Sequence, residues 1–124
     1  MLTALGKLLR KARIDRNLLL KDMALGLEVS PAYLSTVETG KKTFSDDFVK
    51  KVAKFLGYAP GSEEFFELED AAALSRGQVQ IGVAGVSSKH KEVALAFSRQ
   101  FEEMQPSELD KLLAVLNESQ KMKR

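Results

Sequence analysis

The chain of 124 residues contains no cysteine, no tryptophan and a single histidine. Without cysteine it can form no disulfide and cannot bind zinc or an iron–sulfur cluster through thiolates. No apolar run approaches the roughly 20 residues that a membrane-spanning helix requires. The N-terminal stretch lacks the apolar segment and the cleavage site of a secretory signal. We therefore expect a cytoplasmic protein that binds no membrane.

Residues that typically catalyse reactions or bind cofactors are also scarce. His90 stands between two lysines, and a solvated surface residue is favoured over a catalytic one. Gly82 and Gly85 match neither a P-loop nor a dinucleotide-binding fingerprint. The acidic residues of the range 63–70 have mixed spacing and no neighbouring histidine, which favours a solvated acidic face over a metal site. We expect no enzyme, no cofactor and no metal.

Charge is distributed unevenly along the chain, although the net charge is only +2. Residues 1–57 hold eleven Lys or Arg and six Asp or Glu, which gives +5. Residues 58–124 hold eight and eleven, which gives −3. A basic first half and an acidic second half indicate a polyanionic partner on one side only.

Apolar residues at helical spacing predict four helices in the first 57 residues. The predicted ranges are about 3–16, 19–26, 31–39 and 45–57. Thr3, Ser30 and Ser45 are the expected N-caps, and Pro31 directly after Ser30 strengthens the start of the third helix. Gly40 is expected to end that helix in the left-handed region.

The second half predicts three further helices and one short strand. The helices cover about 62–76, which is acidic on one side, 88–104, and the residues that follow Pro106. Gln78 to Val83 alternates polar and β-branched residues, which is typical of a strand. Because a lone strand is unstable, we expect it to pair with its copy across a two-fold axis. In the acidic helix, Phe65, Phe66 and Leu68 are either core residues, which we favour, or anchors for a basic partner.

Residues 3–57 resemble the helix-turn-helix of the Cro/C1 type, also called the XRE family. The matching positions are Met23-Ala24, Val29-Ser30, Leu34-Ser35, Val37-Glu38 and Gly40-Lys41-Lys42, followed by a fourth amphipathic helix. The alternative is a small helical protein of another kind, because helix pairs that end in glycine are common. Met23, Leu34 and Val37 would be core residues in either case. The shared register, the basic first half and the Gly-Lys-Lys sequence favour DNA binding.

The resemblance implies that the helix beginning at Ser30 is the recognition helix, with its first residues at the base edges. The implied base contacts are Pro31, Ala32, Tyr33, Ser35 and Thr36. The other implied DNA-binding residues are Lys21, Ser30, Thr39, Lys41 and Lys42, the lysines and Thr39 serving as phosphate contacts. The helix contains no arginine, asparagine or glutamine, so we expect modest direct specificity and a larger share from phosphate contacts and DNA shape.

The family register also implies an ion pair, and the sequence departs from the family pattern at two places. Arg13 of the first helix should pair with Glu38 of the third. Leu19 and Leu20 stand where the family usually has a capping residue and a phosphate-binding glutamine, a contact that Lys21 would replace. Glu28 occupies a turn position that is commonly glycine, so either the turn differs or Glu28 bears the cost of a left-handed backbone.

The sequence therefore predicts a mainly α protein with a four- to five-helix Cro/C1-type domain and a small C-terminal dimerisation region of one short strand and two helices. The predicted segments are a DNA-binding domain over 1–57, a connecting acidic helix over 58–76 and a dimerisation or partner region over 77–124. We expect a nucleoid-associated, dimeric autorepressor that reads a palindromic operator and forms a homodimer through residues 77–120. The alternative is an antitoxin-like protein whose C-terminal half neutralises a protein partner such as a toxin.

Overall fold

The computed structural model describes residues 1–122, and every regular element in that range is helical. In chain order the elements are α1 (Ala4–Asp15), α2 (Leu20–Gly26), α3 (Pro31–Glu38), α4 (Asp46–Leu56), α5 (Glu63–Arg76), α6 (Ser88–Gln100), a 3-10 turn (Phe101–Glu103) and α7 (Pro106–Met122). Residues 123 and 124, the end of the predicted C-terminal region, lie outside this description. Between residues 1 and 122, no helix combines the length and the apolar character needed to span a bilayer. The chain divides into two compact units, Met1–Val79 and Gln80–Arg124.

Serine and threonine caps set the starts of α1, α3 and α4, as the sequence predicted. The side chain of Thr3 accepts a hydrogen bond from the Gly6 N–H at 3.0 Å. Ser30 accepts one from the Tyr33 N–H at 3.0 Å, and Ser45 one from the Phe48 N–H at 3.1 Å. Each bond satisfies a backbone donor that the first turn of a helix leaves without a partner. The predicted helix starts at these three residues are confirmed.

The first unit is built around one apolar core to which all five of its helices contribute. Fully buried residues of α1 to α4 include Leu5, Met23, Leu34 and Val52. α5 adds Leu68, which is also fully buried. In α5 the ring of Phe65 packs against this core, whereas Phe66 is 54% exposed. The prediction that Leu68 and Phe65 are core residues is thus confirmed. α5 lies in the same compact unit as α1 to α4.

The strand predicted over Gln78–Val83 is wrong, because these residues form no regular structure. Val79 and Ile81 are 72% and 63% exposed, so the alternating side chains have no surface to pack on. Within residues 1–122 the chain offers no second strand whose backbone groups could pair with these. The sixth helix also ends earlier than predicted, at Gln100, and gives way to the 3-10 turn.

The turn between α2 and α3 places its glutamate in a left-handed backbone conformation. Glu28 adopts a φ of 61°, in the left-handed region. An ordinary side chain there costs roughly 1–2 kcal/mol. Of the two possibilities that the sequence left open, Glu28 therefore bears the cost of a left-handed backbone. Its carboxylate lies 3.9 Å from the Lys51 ammonium, but both side chains are largely exposed, so this pair offsets little of the strain.

The second unit consists of two helices whose apolar residues are only partly covered. None of the residues of α6 or of α7 up to Met122 is buried. The rings of Phe97 and Phe101 pack together with their centroids 5.2 Å apart and their planes tilted by 52°. On α7, Leu113, Val115 and Leu116 are each more than half exposed. A single copy of this unit thus leaves much of its apolar surface in water.

Candidate nucleic-acid interface

The turn between α2 and α3 sets the third helix across the second. Ala24 in α2 is 1% exposed, and its carbonyl accepts a hydrogen bond from the Val29 N–H at 3.0 Å. The small alanine side chain lets the two helices approach closely. The inward residues Leu34 and Val37 fix the rotation of α3 about its axis because they are buried in the core. This rotation turns the opposite face of α3 outward.

The outward face of α3 carries no negative charge. Ser30, Pro31, Ala32 and Ser35 are exposed, and Thr36 and Thr39 are half-buried. The one acidic residue of α3, Glu38, is turned inward and is only 5% exposed. The inward position of Glu38 suits a surface that approaches phosphates, because an exposed carboxylate would repel them.

Two threonine hydroxyls on this face donate to the backbone of their own helix. Thr36 Oγ1 donates to the Tyr33 carbonyl at 2.7 Å, and Thr39 Oγ1 donates to the Ser35 carbonyl at 3.1 Å. Each hydroxyl proton is thereby committed, while the oxygen retains lone pairs that can accept. In this conformation Thr36 is an acceptor toward any ligand in front of α3.

Tyr33 has a packing role that the sequence did not reveal. Its ring meets the ring of Phe48 edge-on, with centroids 6.1 Å apart and an interplanar angle of 77°. Its hydroxyl donates to the Thr43 carbonyl at 3.3 Å. Tyr33 therefore braces α3 against α4 and against the segment between them.

Two lysines, Lys41 and Lys42, directly follow the C-terminal end of α3, where backbone hydrogen bonds terminate the helix. Gly40 has a φ of 77°, as predicted, and the Lys41 N–H returns to the Thr36 carbonyl at 2.8 Å. The side chains of Lys41 and Lys42 are exposed, as is that of Lys21 on α2.

At the start of α2, where a capping side chain is missing, the Asp22 carboxylate accepts a hydrogen bond from the Leu19 N–H at 2.9 Å. This bond was not predicted from the sequence, and it compensates partly for the absent cap.

The end of α3 is fastened to α1 through Glu38. The Arg13 guanidinium donates to the Glu38 carboxylate, and the two side chains are 11% and 6% exposed. The Glu38 carbonyl accepts from the Thr3 N–H at 3.0 Å. Gly6 lies so close that a Cβ at this position would stand 2.1 Å from the same carbonyl oxygen. These contacts hold the outward face of α3 at a defined place on the domain.

Residues 9–61 match the family model described as Helix-turn-helix. They form a Cro/C1-type helix-turn-helix domain of the XRE family. The match supports a DNA-binding transcriptional regulator. It covers α2, α3, α4 and most of α1. No curated protein and no solved structure shows a significant match to the chain.

Arg16, the residue that follows α1, also makes contacts within the domain. Arg16 donates to the Leu56 carbonyl at 3.0 Å and lies over the Tyr58 ring, 5.9 Å from its centroid. It therefore fastens the end of α4. The basic residues Lys7, Arg10 and Lys11 of α1 are exposed, as is Arg16.

Two residues at the end of α5 were not identified from the sequence, because their partners are distant in the chain. Ser75 Oγ accepts from the Leu5 N–H at 2.8 Å, across 70 positions. Arg76 contacts Phe44 and Asp46, about 30 residues away. A serine and an arginine in the last turn of a helix are ordinary, and no local pattern indicates such contacts.

Proposed function

We propose that the protein is a sequence-specific, dimeric transcriptional regulator, most simply an autorepressor, that reads a palindromic operator with α3 in the major groove. The observation that carries this proposal is the exposed face of α3, which has no carboxylate and is followed by two exposed lysines. Such a protein would act at the nucleoid.

The residues of this face fit different parts of a DNA site. Pro31 and Ala32 offer apolar contact of the kind that suits a thymine methyl group, and Ser35 and Thr36 offer hydroxyls to base edges. Tyr33, braced against Phe48, would present the edge of its ring. The exposed lysines would bind phosphates, together with the hydroxyls at the two ends of α3. These residues are Lys21, Ser30, Thr39, Lys41 and Lys42. Thr39 Oγ1 would leave the Ser35 carbonyl in order to donate to a phosphate oxygen.

Binding to the DNA upstream of the protein's own gene tests this proposal. We expect fluorescence anisotropy to show clear preference for this DNA over a scrambled duplex of equal length and composition. The protected site should contain two half-sites about 34 Å apart. Affinity should fall steeply with salt, with about one counterion released for each phosphate contact. Equal affinity for the scrambled duplex would contradict sequence-specific regulation.

A dimer through residues 77–120 follows from the same proposal, because a single helix-turn-helix contacts only one half-site. The exposed apolar residues of α7 support it, since association of two copies would remove them from water. We expect sedimentation at micromolar concentration to give a dimer and the double variant Leu113→Glu, Leu116→Glu to give a monomer that binds the operator more weakly.

Leu74→Glu is the matched control, because Leu74 is 69% exposed on α5. This variant should remain dimeric. A wild-type monomer, or dissociation by Leu74→Glu alone, would contradict dimerisation through α6 and α7.

The exposed apolar residues of the second unit also support a second candidate, an antitoxin-like protein that uses this surface to neutralise a protein partner. Co-expression with the products of neighbouring genes distinguishes the two. A partner that co-purifies with the wild type but not with Leu113→Glu, Leu116→Glu would favour the antitoxin-like function. A homodimer that retains no such partner would favour the repressor.

A further inference from the structure

The segment between α3 and α4 carries Lys42 and depends on contacts from elsewhere for its position. Residues 41–45 belong to no helix. The backbone N–H groups of Lys41 and Lys42 bond to the Thr36 carbonyl, and the Thr43 carbonyl accepts from Tyr33. Beyond that point, Phe44 is held by a residue that lies outside the helix-turn-helix match.

That residue is Arg76, in the last turn of α5, which makes three contacts with the segment and with the start of α4. Its guanidinium lies over the Phe44 ring, 4.5 Å from the centroid. Nη2 forms an ion pair with Asp46, 3.0 Å from Oδ1, and donates a hydrogen bond to the Phe44 carbonyl at 3.5 Å. A planar guanidinium can stack and donate in this way simultaneously, which lysine cannot.

The neighbour of Arg76 fixes α5 itself. Ser75 Oγ accepts from the Leu5 N–H, so the last turn of α5 is joined to the first turn of α1. Lys42, Thr43, Phe44, Ser75 and Arg76 all line one cavity of about 350 Å³. Arg76 thus reaches the lysine-bearing segment from a helix that is itself anchored in the domain.

We propose that Arg76 is a positioning residue for DNA binding, which holds the segment 41–45 so that Lys42 meets a phosphate. This inference rests on the proposed function. Arg76 acts in two ways: it orders the segment by stacking on Phe44, and it neutralises the Asp46 carboxylate, which is 84% exposed and would otherwise repel the phosphate. Loss of Arg76 therefore weakens binding through Lys42.

The test is a double-mutant cycle in the full chain, with operator affinity measured across a range of salt concentrations. We expect Arg76→Gln to weaken binding about tenfold and Lys42→Gln by a similar factor. Adding Arg76→Gln to Lys42→Gln should weaken binding by less than about twofold more, because residues that act through one contact are not additive. Both single variants should lower the salt slope by about one.

Two further variants separate positioning from a general loss of stability. Arg16→Gln is the matched control, since Arg16 likewise bonds a carbonyl and lies over an aromatic ring, but at the far end of α4. It should lower the melting temperature without changing operator affinity or the salt slope. Arg76→Lys keeps the charge near Asp46 but loses the stacking, so it should bind with intermediate affinity and provides a readout if Arg76→Gln does not fold.

The outcomes distinguish this inference from the proposed function. If Lys42→Gln weakens binding but Arg76→Gln and Arg76→Lys bind as the wild type does, the positioning role is overturned and the function stands. Fully additive effects would also overturn it, because Arg76 would then act independently of Lys42. If the wild type itself shows no preference for operator DNA, the proposed function fails, and the inference fails with it.

Discussion

Replacing Arg13 with methionine should lower the free energy of unfolding by about 3–5 kcal/mol, the cost of breaking a buried ion pair from one side. The side chains of Arg13 and Glu38 are only 11% and 6% exposed. Without Arg13, the Glu38 carboxylate would stay buried next to a hydrophobic side chain with no positive charge to compensate it. Urea denaturation followed by circular dichroism measures the loss.

Two controls identify the buried charge as the cause. The double variant Arg13→Met, Glu38→Met should recover most of the loss, because two apolar side chains can replace a buried pair at little net cost. Lys51→Met breaks the pair with Glu28 in the same unit, where the side chains are 52% and 78% exposed, and should cost less than about 1 kcal/mol. A double variant as unstable as Arg13→Met would contradict this explanation.

Replacing Gly6 with alanine should cost at least about 2 kcal/mol, near the upper end of the usual range for overpacking. The new Cβ would lie 2.1 Å from the Glu38 carbonyl oxygen and 2.8 Å from its carbon. Both are backbone atoms, so relief requires α1 and α3 to move apart. That movement would also break the bond from the Thr3 N–H to the same carbonyl. Thermal and urea unfolding both report the loss.

Helix propensity alone predicts the opposite sign, which makes this substitution decisive. Alanine in a helix interior is favoured over glycine by about 1 kcal/mol. Gly57→Ala is the matched control, because Gly57 has a φ of 79° but open space around it. It should show only the cost of a left-handed alanine, roughly 1–2 kcal/mol. A Gly6→Ala protein as stable as the wild type would show that α1 and α3 do not approach this closely.

The parts of the fold that local signals determine could be predicted from the sequence. Ser30 followed by Pro31 fixes a helix start within one turn, and Gly40 fixes its end, because both act on backbone groups a few residues away. The strand over Gln78–Val83 was predicted wrongly for the complementary reason. Alternating side chains are a local pattern, whereas a strand requires a pairing partner elsewhere in the chain.

Some features of the candidate site could likewise be predicted from the sequence, whereas others depend on contacts between distant residues. The absence of an exposed carboxylate on α3 follows from helical periodicity together with the family register that places Glu38 against Arg13. The contacts of Tyr33 with Phe48 and Thr43, and those of Arg76 with the segment between α3 and α4, depend on how the helices pack. No spacing within α3 or α5 encodes them.

Operator affinity of the variant Ala32→Glu tests most directly whether the outward face of α3 meets DNA. Ala32 is exposed in the first turn of α3. The helix dipole stabilises a negative side chain at this end of a helix, so the substitution should not lower the stability. Ala59→Glu adds the same charge at another exposed position of the first unit and is the control. We expect Ala32→Glu to bind operator DNA at least about tenfold more weakly than Ala59→Glu, because its carboxylate would face bases and phosphates. Equal affinity of the two variants would show that α3 does not enter the groove.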